Sequence, residues 1–203
     1  MKSKRTQAER SAATRAALVE AARPLFAEQG YAAVSTDQIA RVAGVTRGAL
    51  YHQFSGKEEL FAAVFEQVEA EIAERIGAQI AAVGPDDLLA TMRASVDAWL
   101  EACADPAVQR IALLDAPAAL GWARWREIGL RYGLGVIELG LTAAIDGGLL
   151  PEQPVRPLAH VLAGALDEAA LYCATAEDRA VATEEARAAL VAVITGLVGD
   201  TPG

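Results

Sequence analysis

Arg47 opens a run of side chains suited to touching a nucleic-acid duplex, with Gly48, Tyr51, His52 and Gln53 behind it. A guanidinium can bond both major-groove acceptors of a guanine, so Arg47 is the candidate base reader. Gly48 has no side chain and lets a helix lie close to a groove floor. Tyr51, His52 and Lys57 can reach phosphates on either side of that groove. Thr36 and Thr46 bring hydroxyls to helix N-termini, where backbone N–H groups also draw phosphate. Such chemistry needs a short helix held with its first turn toward the duplex. Leu50 and Phe54, at i, i+4 spacing, supply the inward anchor. Tyr51 could instead be a core aromatic, although Leu50 and Phe54 already fill the inward face.

The elements that would position this run are legible around it. Ser35 can cap a preceding helix, and Gln38 stands three residues later, the spacing of a capping box. Ile39, Ala40 and Ala43 give that helix its apolar stripe. Gly44 follows where a left-handed residue ends a helix, and Val45 pins the turn. Thr46 then caps the second helix. The spacing predicts helices over about 36–43 and 47–53, joined by a tight turn.

This stretch resembles the DNA-binding domain of the TetR family of transcriptional repressors. The likeness rests on Gly30-Tyr31, Ile39-Ala40, Ala43-Gly44-Val45, Gly48-x-Leu50-Tyr51-x-x-Phe54 and Lys57-Glu58-x-Leu60. Where the family often has His just before the aromatic that ends the recognition helix, this chain has Gln53, with His52 one place earlier. The resemblance implies an all-α protein with a three-helix helix-turn-helix head over residues 1–55. It further implies an effector-binding and dimerisation body over 56–203, about nine helices in total. It implies DNA contacts from Ser35, Thr36, Thr46, Arg47, Gly48, Tyr51, His52, Gln53 and Lys57.

Helical periodicity runs through the rest of the chain. A first helix is expected over 7–29, ended by Gly30. Phe61, Phe65, Val68, Ile72, Ile76 and Ile80 mark a fourth over 57–82, stopped by Gly84-Pro85. It would join the head to the body without a flexible linker. Further helices are expected over 86–104, near 107–114, and over 121–146, 156–175 and 178–198. Pro117 and Gly121 punctuate the junction before 121, and the tail from Gly199 should fray.

The body carries the polar-tipped aromatics Trp99, Trp122, Trp125, Tyr132 and Tyr172, with Asp115, Arg126, His160, Asp167 and Glu168 nearby in sequence position. Aromatic walls with a few polar groups suit an amphipathic organic effector. The candidate ligand residues are Trp99, Asp115, Trp122, Trp125, Arg126, Tyr132, Glu168 and Tyr172. Each aromatic could equally be core, and His160 an interface or core hydrogen bonder. Asp167 and Glu168 could simply pair with Arg126 or Arg131. The last two helices carry Leu158, Leu162, Leu166, Leu190, Ile194 and Leu197, the candidates for a homodimer interface. The family usually dimerises there, and a pair of recognition helices on a palindrome repairs the short reach of one.

Bulk properties narrow the function further. The 203 residues carry a net charge of −9, unevenly spread. Residues 1–58 hold nine basic and five acidic side chains; the remainder holds nine and 22. A basic head on an acidic body would orient the molecule on a polyanion. Lys2, Lys4, Arg5 and Arg10 form an N-terminal arm that could add nonspecific contacts or stay solvated. The 53% hydrophobic content is high, yet no run of about 18 uncharged apolar residues exists. The most apolar run, Gly133 to Ile145, is interrupted by Glu138. Neither a secretory signal nor a membrane partner is expected. Cys103 and Cys173 lack metal spacing and suit a reducing cytoplasm. With no serine elbow, paired metal ligands or phosphate loop, no catalytic residue, metal or cofactor is expected. An enzyme would have to rest on His160 as the spare imidazole. The leading expectation is a repressor binding a palindromic double-stranded operator as a homodimer and released by a small molecule. An effector-independent, activating or architectural DNA binder shares the same head.

Overall fold

The apolar stripes close into helices wherever a cap and a stop agree with them. A computed structural model describes residues 6–84 and 87–199. The arm residues Lys2, Lys4 and Arg5, together with Pro85 and the tail beyond Gly199, lie outside the described residues. α1 (Gln7–Gln29) starts in a capping box, the Glu9 N–H donating to Thr6 Oγ1 at 3.2 Å and the Glu9 carboxylate accepting from the Thr6 N–H. α2 (Thr36–Val42) and α3 (Arg47–Gln53) carry the Ser35 and Thr46 caps, but Gln38 does not close a capping box, its side chain donating to Gln29 instead. Gln38 N donates to Ser35 Oγ at 3.2 Å and Ala49 N to Thr46 Oγ1 at 3.1 Å. Gly44 turns the chain between them with φ +67°, a conformation open to glycine at little cost.

α4 (Lys57–Val83) belongs to both halves of the molecule. Its first turns send Leu60, Phe61 and Phe65, all fully buried, into a core with Leu18, Ala22, Phe26, Ile39, Leu50 and Phe54. Phe61 meets Phe26 edge-on at 5.0 Å and Tyr31 at 4.9 Å. The same apolar cluster continues along α4 to Ile72 and across to Ile128. Beyond it come α5 (Leu88–Ala104), α6 (Pro106–Val108), a π-helical stretch (Gln109–Asp115), α7 (Ala116–Leu120), α8 (Trp122–Asp146), α9 (Val155–Thr175) and α10 (Arg179–Gly199). The run from Pro106 to Leu120 is continuous. Counted as one body, it makes nine helices among the described residues, and no strand occurs among them.

Two features differ from the sequence expectation. Pro117 does not break the chain, because the π turn ends just before it. It therefore sits in the first turn of α7, where a missing N–H costs nothing. The break falls at Gly121 instead (φ +76°). α8 also contains an 18-residue window of mean hydropathy 1.4 with at most two charged side chains. It is long and apolar enough to cross a bilayer by length and composition, where no such segment was expected. In the fold its apolar face packs against α4 and α9 and walls a cavity.

Since Phe61 fills the junction between head and α4 with no exposure, Phe61→Ala is expected to cost about 3–5 kcal/mol. Chemical denaturation followed by circular dichroism measures it.

Candidate functional site

The outer face of α3 is built by subtraction. Leu50 and Phe54 turn inward, which leaves Arg47, Gly48, Tyr51 and His52 exposed. A Cβ at Gly48 would meet nothing nearer than Thr46 Oγ1 at 3.9 Å, so the space over it is open. Arg47 spans the gap to α2 and pairs with Asp37 at 3.5 Å. Its guanidinium also lies 5.5 Å from the Tyr51 ring centre. Tyr51 and Thr36 share a hydrogen bond of 3.3 Å between their hydroxyls. That bond, with the nearby Arg47, draws the Tyr51 phenol below its ordinary range. These four side chains therefore form one exposed polar patch across α2 and α3. The Arg47–Asp37 pair is solvent-exposed and of a kind worth about 0–1 kcal/mol. A bidentate guanine contact is worth about 1–3 kcal/mol, enough to displace Asp37.

Two residues expected at the duplex are engaged inside the protein. Lys57 donates from Nζ to the carbonyls of Tyr31 at 2.8 Å and Val34 at 3.0 Å, and lies over the Tyr31 ring at 4.3 Å. Gln53 exchanges hydrogen bonds with Ser11 of α1, donating at 2.9 Å and accepting at 3.2 Å. Ser35 spends its hydroxyl as the α2 cap. Lys57 and Gln53 thus brace the reader from behind.

The body encloses a second site. α4, α5, α8, α9 and α10 surround a cavity of about 450 Å³ with a mostly apolar wall. Trp99, Trp125, Arg126 and Tyr132 line it. Both indoles are oriented by the backbone, Trp99 Nε1 donating to the Leu166 carbonyl at 3.1 Å and Trp125 Nε1 to that of Ala112 at 3.0 Å. Arg126 forms an ion pair with Asp167 inside the wall. Burial pushes Asp167 up to about 6, with Arg126 pulling the other way. Glu69, on α4, is 8% exposed and also faces the cavity. Desolvation first, and Asp167 second, push its carboxyl to about 8.

Residues 18–64 match the family model described as bacterial regulatory proteins, tetR family. Residues 89–197 match that of the tetracyclin repressor-like, C-terminal domain, more than half of the chain. This chain belongs to the TetR family. It is a TetR-family transcriptional regulator with a DNA-binding helix-turn-helix. It is 29% identical over 164 residues to the Transposon Tn10 TetC protein of Escherichia coli, covering 81% of this chain and 82% of that one. With the HTH-type transcriptional regulator CymR of Pseudomonas putida it shares 42% over 84 residues, 41% of each chain. A TetR-family transcriptional regulator from Pectobacterium atrosepticum has a similar crystal structure, with a TM-score of 0.83 and 37% identity. That match covers 98% of this chain and 100% of that one.

Within this TetR-family body, four of the expected ligand residues stand away from the cavity. Asp115 faces the head, accepting from the Tyr31 N–H at 2.7 Å and pairing with Arg110 at 3.3 Å. Trp122 is 68% exposed at the start of α8 and leans on Trp125 at 4.9 Å. Glu168 points to solvent on α9. Tyr172 is half-exposed and donates to Glu185 of α10 at 2.9 Å. Helical spacing sets their separation along one helix but says nothing of which side the neighbours occupy. The cavity residue the sequence reading missed is Glu69. The signal was present, since Glu69 lies on the stripe four residues after Phe65 and three before Ile72.

Glu69 also gives the TetR-family fold a pH signature. Between the ordinary carboxylate range and about 8, the folded chain holds a proton that the unfolded chain has released, so stability falls as pH rises. Asp167, raised to about 6, acts only in the lower part of that window. The urea midpoint is expected to drop between pH 6 and 8.5, and Glu69→Gln to flatten that drop.

Proposed function

We propose that this regulator is a ligand-responsive repressor that binds a palindromic operator as a homodimer and is released by a small-molecule effector. The observation that carries this reading is α4. Its N-terminus braces the reader through Lys57, and twelve residues later its Glu69 faces the cavity. At 1.5 Å per residue that is about 18 Å of continuous helix. Anything filling the cavity bears directly on the rod that carries α3.

Arg47 reads a base edge, Gly48 permits close approach, and Thr36, Thr46, Tyr51 and His52 meet phosphates. The dimer forms through α9 and α10. Leu158, Leu162, Leu166, Leu190, Ile194 and Leu197 turn toward the chain's own clusters and the cavity. Exposed on these helices are Val161 and Val181, with Ala188, Ala189 and Ala192. Small side chains there let two helix pairs approach closely and form a four-helix interface. The effector acts by preferring a conformer whose recognition helices are no longer spaced by one DNA turn, about 34–36 Å. A coupling of about 1–3 kcal/mol suffices for release.

Sequencing genomic DNA retained by the purified protein is expected to return a palindromic motif, with sedimentation at twice the 21.2 kDa chain mass. On that motif Arg47→Ala is expected to lose about 1–3 kcal/mol in a gel-shift titration. A monomer at micromolar concentration, or unchanged affinity of the variant, would refute the corresponding assignment.

A further inference from the structure

The charges lining the cavity do not balance. Among the lining residues the ionisable carboxylates are Glu69 and Asp167, and the cationic side chain is Arg126. Arg126 is already taken by Asp167, and its Nη2 also reaches the His160 carbonyl at 3.4 Å. An incoming anion would therefore have to break an existing ion pair. Glu69 is more than nine-tenths buried and has neither a hydrogen bond nor an ion pair among the described residues. Its neighbours explain the isolation. Asp167 faces it from α9 and the Cys103 thiol, itself pushed up by burial, from α5. Tyr132 and Arg126 share the cavity from α8, Arg126 being paired with Asp167. On its α1 side, α4 is occupied by the Arg23–Glu71 pair. A buried carboxylate without a partner is costly, and an opposite charge seated beside it offsets part of that cost.

The rest of the wall suits the carrier of such a charge. Trp99, Trp125 and Tyr132 line the cavity, and aromatic rings attract cations most strongly where water is excluded. The remaining lining is aliphatic, from Ile72, Ile76 and Met92 among others. We infer that the effector is an amphipathic organic cation whose charged centre pairs with the Glu69 carboxylate while its apolar bulk fills the cavity. This deepens the ligand-responsive reading and rests on it. When Glu69 holds a proton, binding of the cation transfers that proton from the carboxyl oxygen to solvent, one per cation bound. Because Glu69 stands on α4, the new ion pair forms on the helix that carries the DNA reader.

Three probes of equal chain length separate charge from bulk: n-decyltrimethylammonium, 1-decanol and decanoate, each below its micelle concentration. Binding is followed by calorimetry and by fluorescence of the cavity tryptophans. The quaternary cation has no proton of its own, so any pH dependence belongs to the protein. It is expected to bind at least about tenfold tighter than decanol at pH 8.5. Its affinity should fall about tenfold per unit as pH drops below 8, with one proton released. Glu69→Gln should bring cation and alcohol to near parity and abolish the proton release. Decanol or decanoate binding as tightly as the cation to the wild-type protein overturns the charge assignment and leaves the ligand-responsive reading standing. An unchanged cation preference in Glu69→Gln overturns it too. Failure of all three chains to bind overturns both.

Discussion

One helix satisfies two cores at once, and the rest of the molecule depends on that sharing. The first turns of α4 bury Leu60, Phe61 and Phe65 against α1, α2 and α3. Its middle turns present Glu69, Ile72 and Ile76 to the cavity. The head is the long α1 and two helices only two turns long, and helices as short as those two are marginal in water. They hold their shape because the aromatic face of α4 completes their core. The reader therefore cannot move independently of α4, and α4 cannot shift without disturbing the wall of the cavity.

A second set of contacts ties the head to the π stretch and α8, and it is electrostatic. Asp115 accepts from the Tyr31 backbone N–H and pairs with Arg110. Gly30, at φ +79°, is the residue over which Arg110 lies. A Cβ there would push the guanidinium aside, and the positive φ is what favours glycine. On the other side Arg124, in the first turn of α8, bonds Glu58 at 3.2 Å and Glu59 at 3.0 Å in the first turn of α4. These pairs are partly exposed, so each is weak and replaceable. The apolar packing along α4 is extensive and hard to undo, whereas the polar joint beside it can break and re-form. A strong axle with weak side ties is the arrangement a small displacement needs.

The legibility of these parts from the sequence followed their range. The helix-turn-helix was readable because its determinants are local: the Ser35 and Thr46 caps, Gly44 in the turn, and Leu50 with Phe54 one turn apart. Boundaries of α1, α3 and α8 likewise follow from nearby caps and glycines. Side chains whose role depends on a distant neighbour were misplaced. Asp115 and Lys57 carry the right chemistry for a ligand and a phosphate, yet each meets a partner far along the chain, at Tyr31 and at the Tyr31 and Val34 carbonyls. α9 and α10 hold more apolar residues than one face can use, so the pattern could not say which leucines turn inward. Glu69 went unremarked among Glu66, Glu71 and Glu74 because acidic residues on a long helix usually mark its wet side. Its register with Phe65 and Ile72 shows otherwise.

The position of that carboxyl has a mechanical consequence. A ligand shifts a conformational equilibrium only by its differential affinity for the two states. An apolar molecule filling an apolar cavity gains similar burial whichever way the walls tilt by a small angle, so bulk alone discriminates poorly between conformers. A charge pair discriminates more sharply, because Coulomb energy in a partly desolvated site changes steeply with separation. Placing the unmatched charge on α4, rather than on α5 or α10, makes that steep dependence act on the helix whose first turn holds Lys57. Lys57 in turn grips the carbonyls of the segment that leads into α2, and the α2–α3 patch is joined by Thr36, Tyr51, Asp37 and Arg47. A displacement of α4 therefore reaches the outer face of α3 through hydrogen bonds and buried aromatic contacts at every step, with no flexible linker in between.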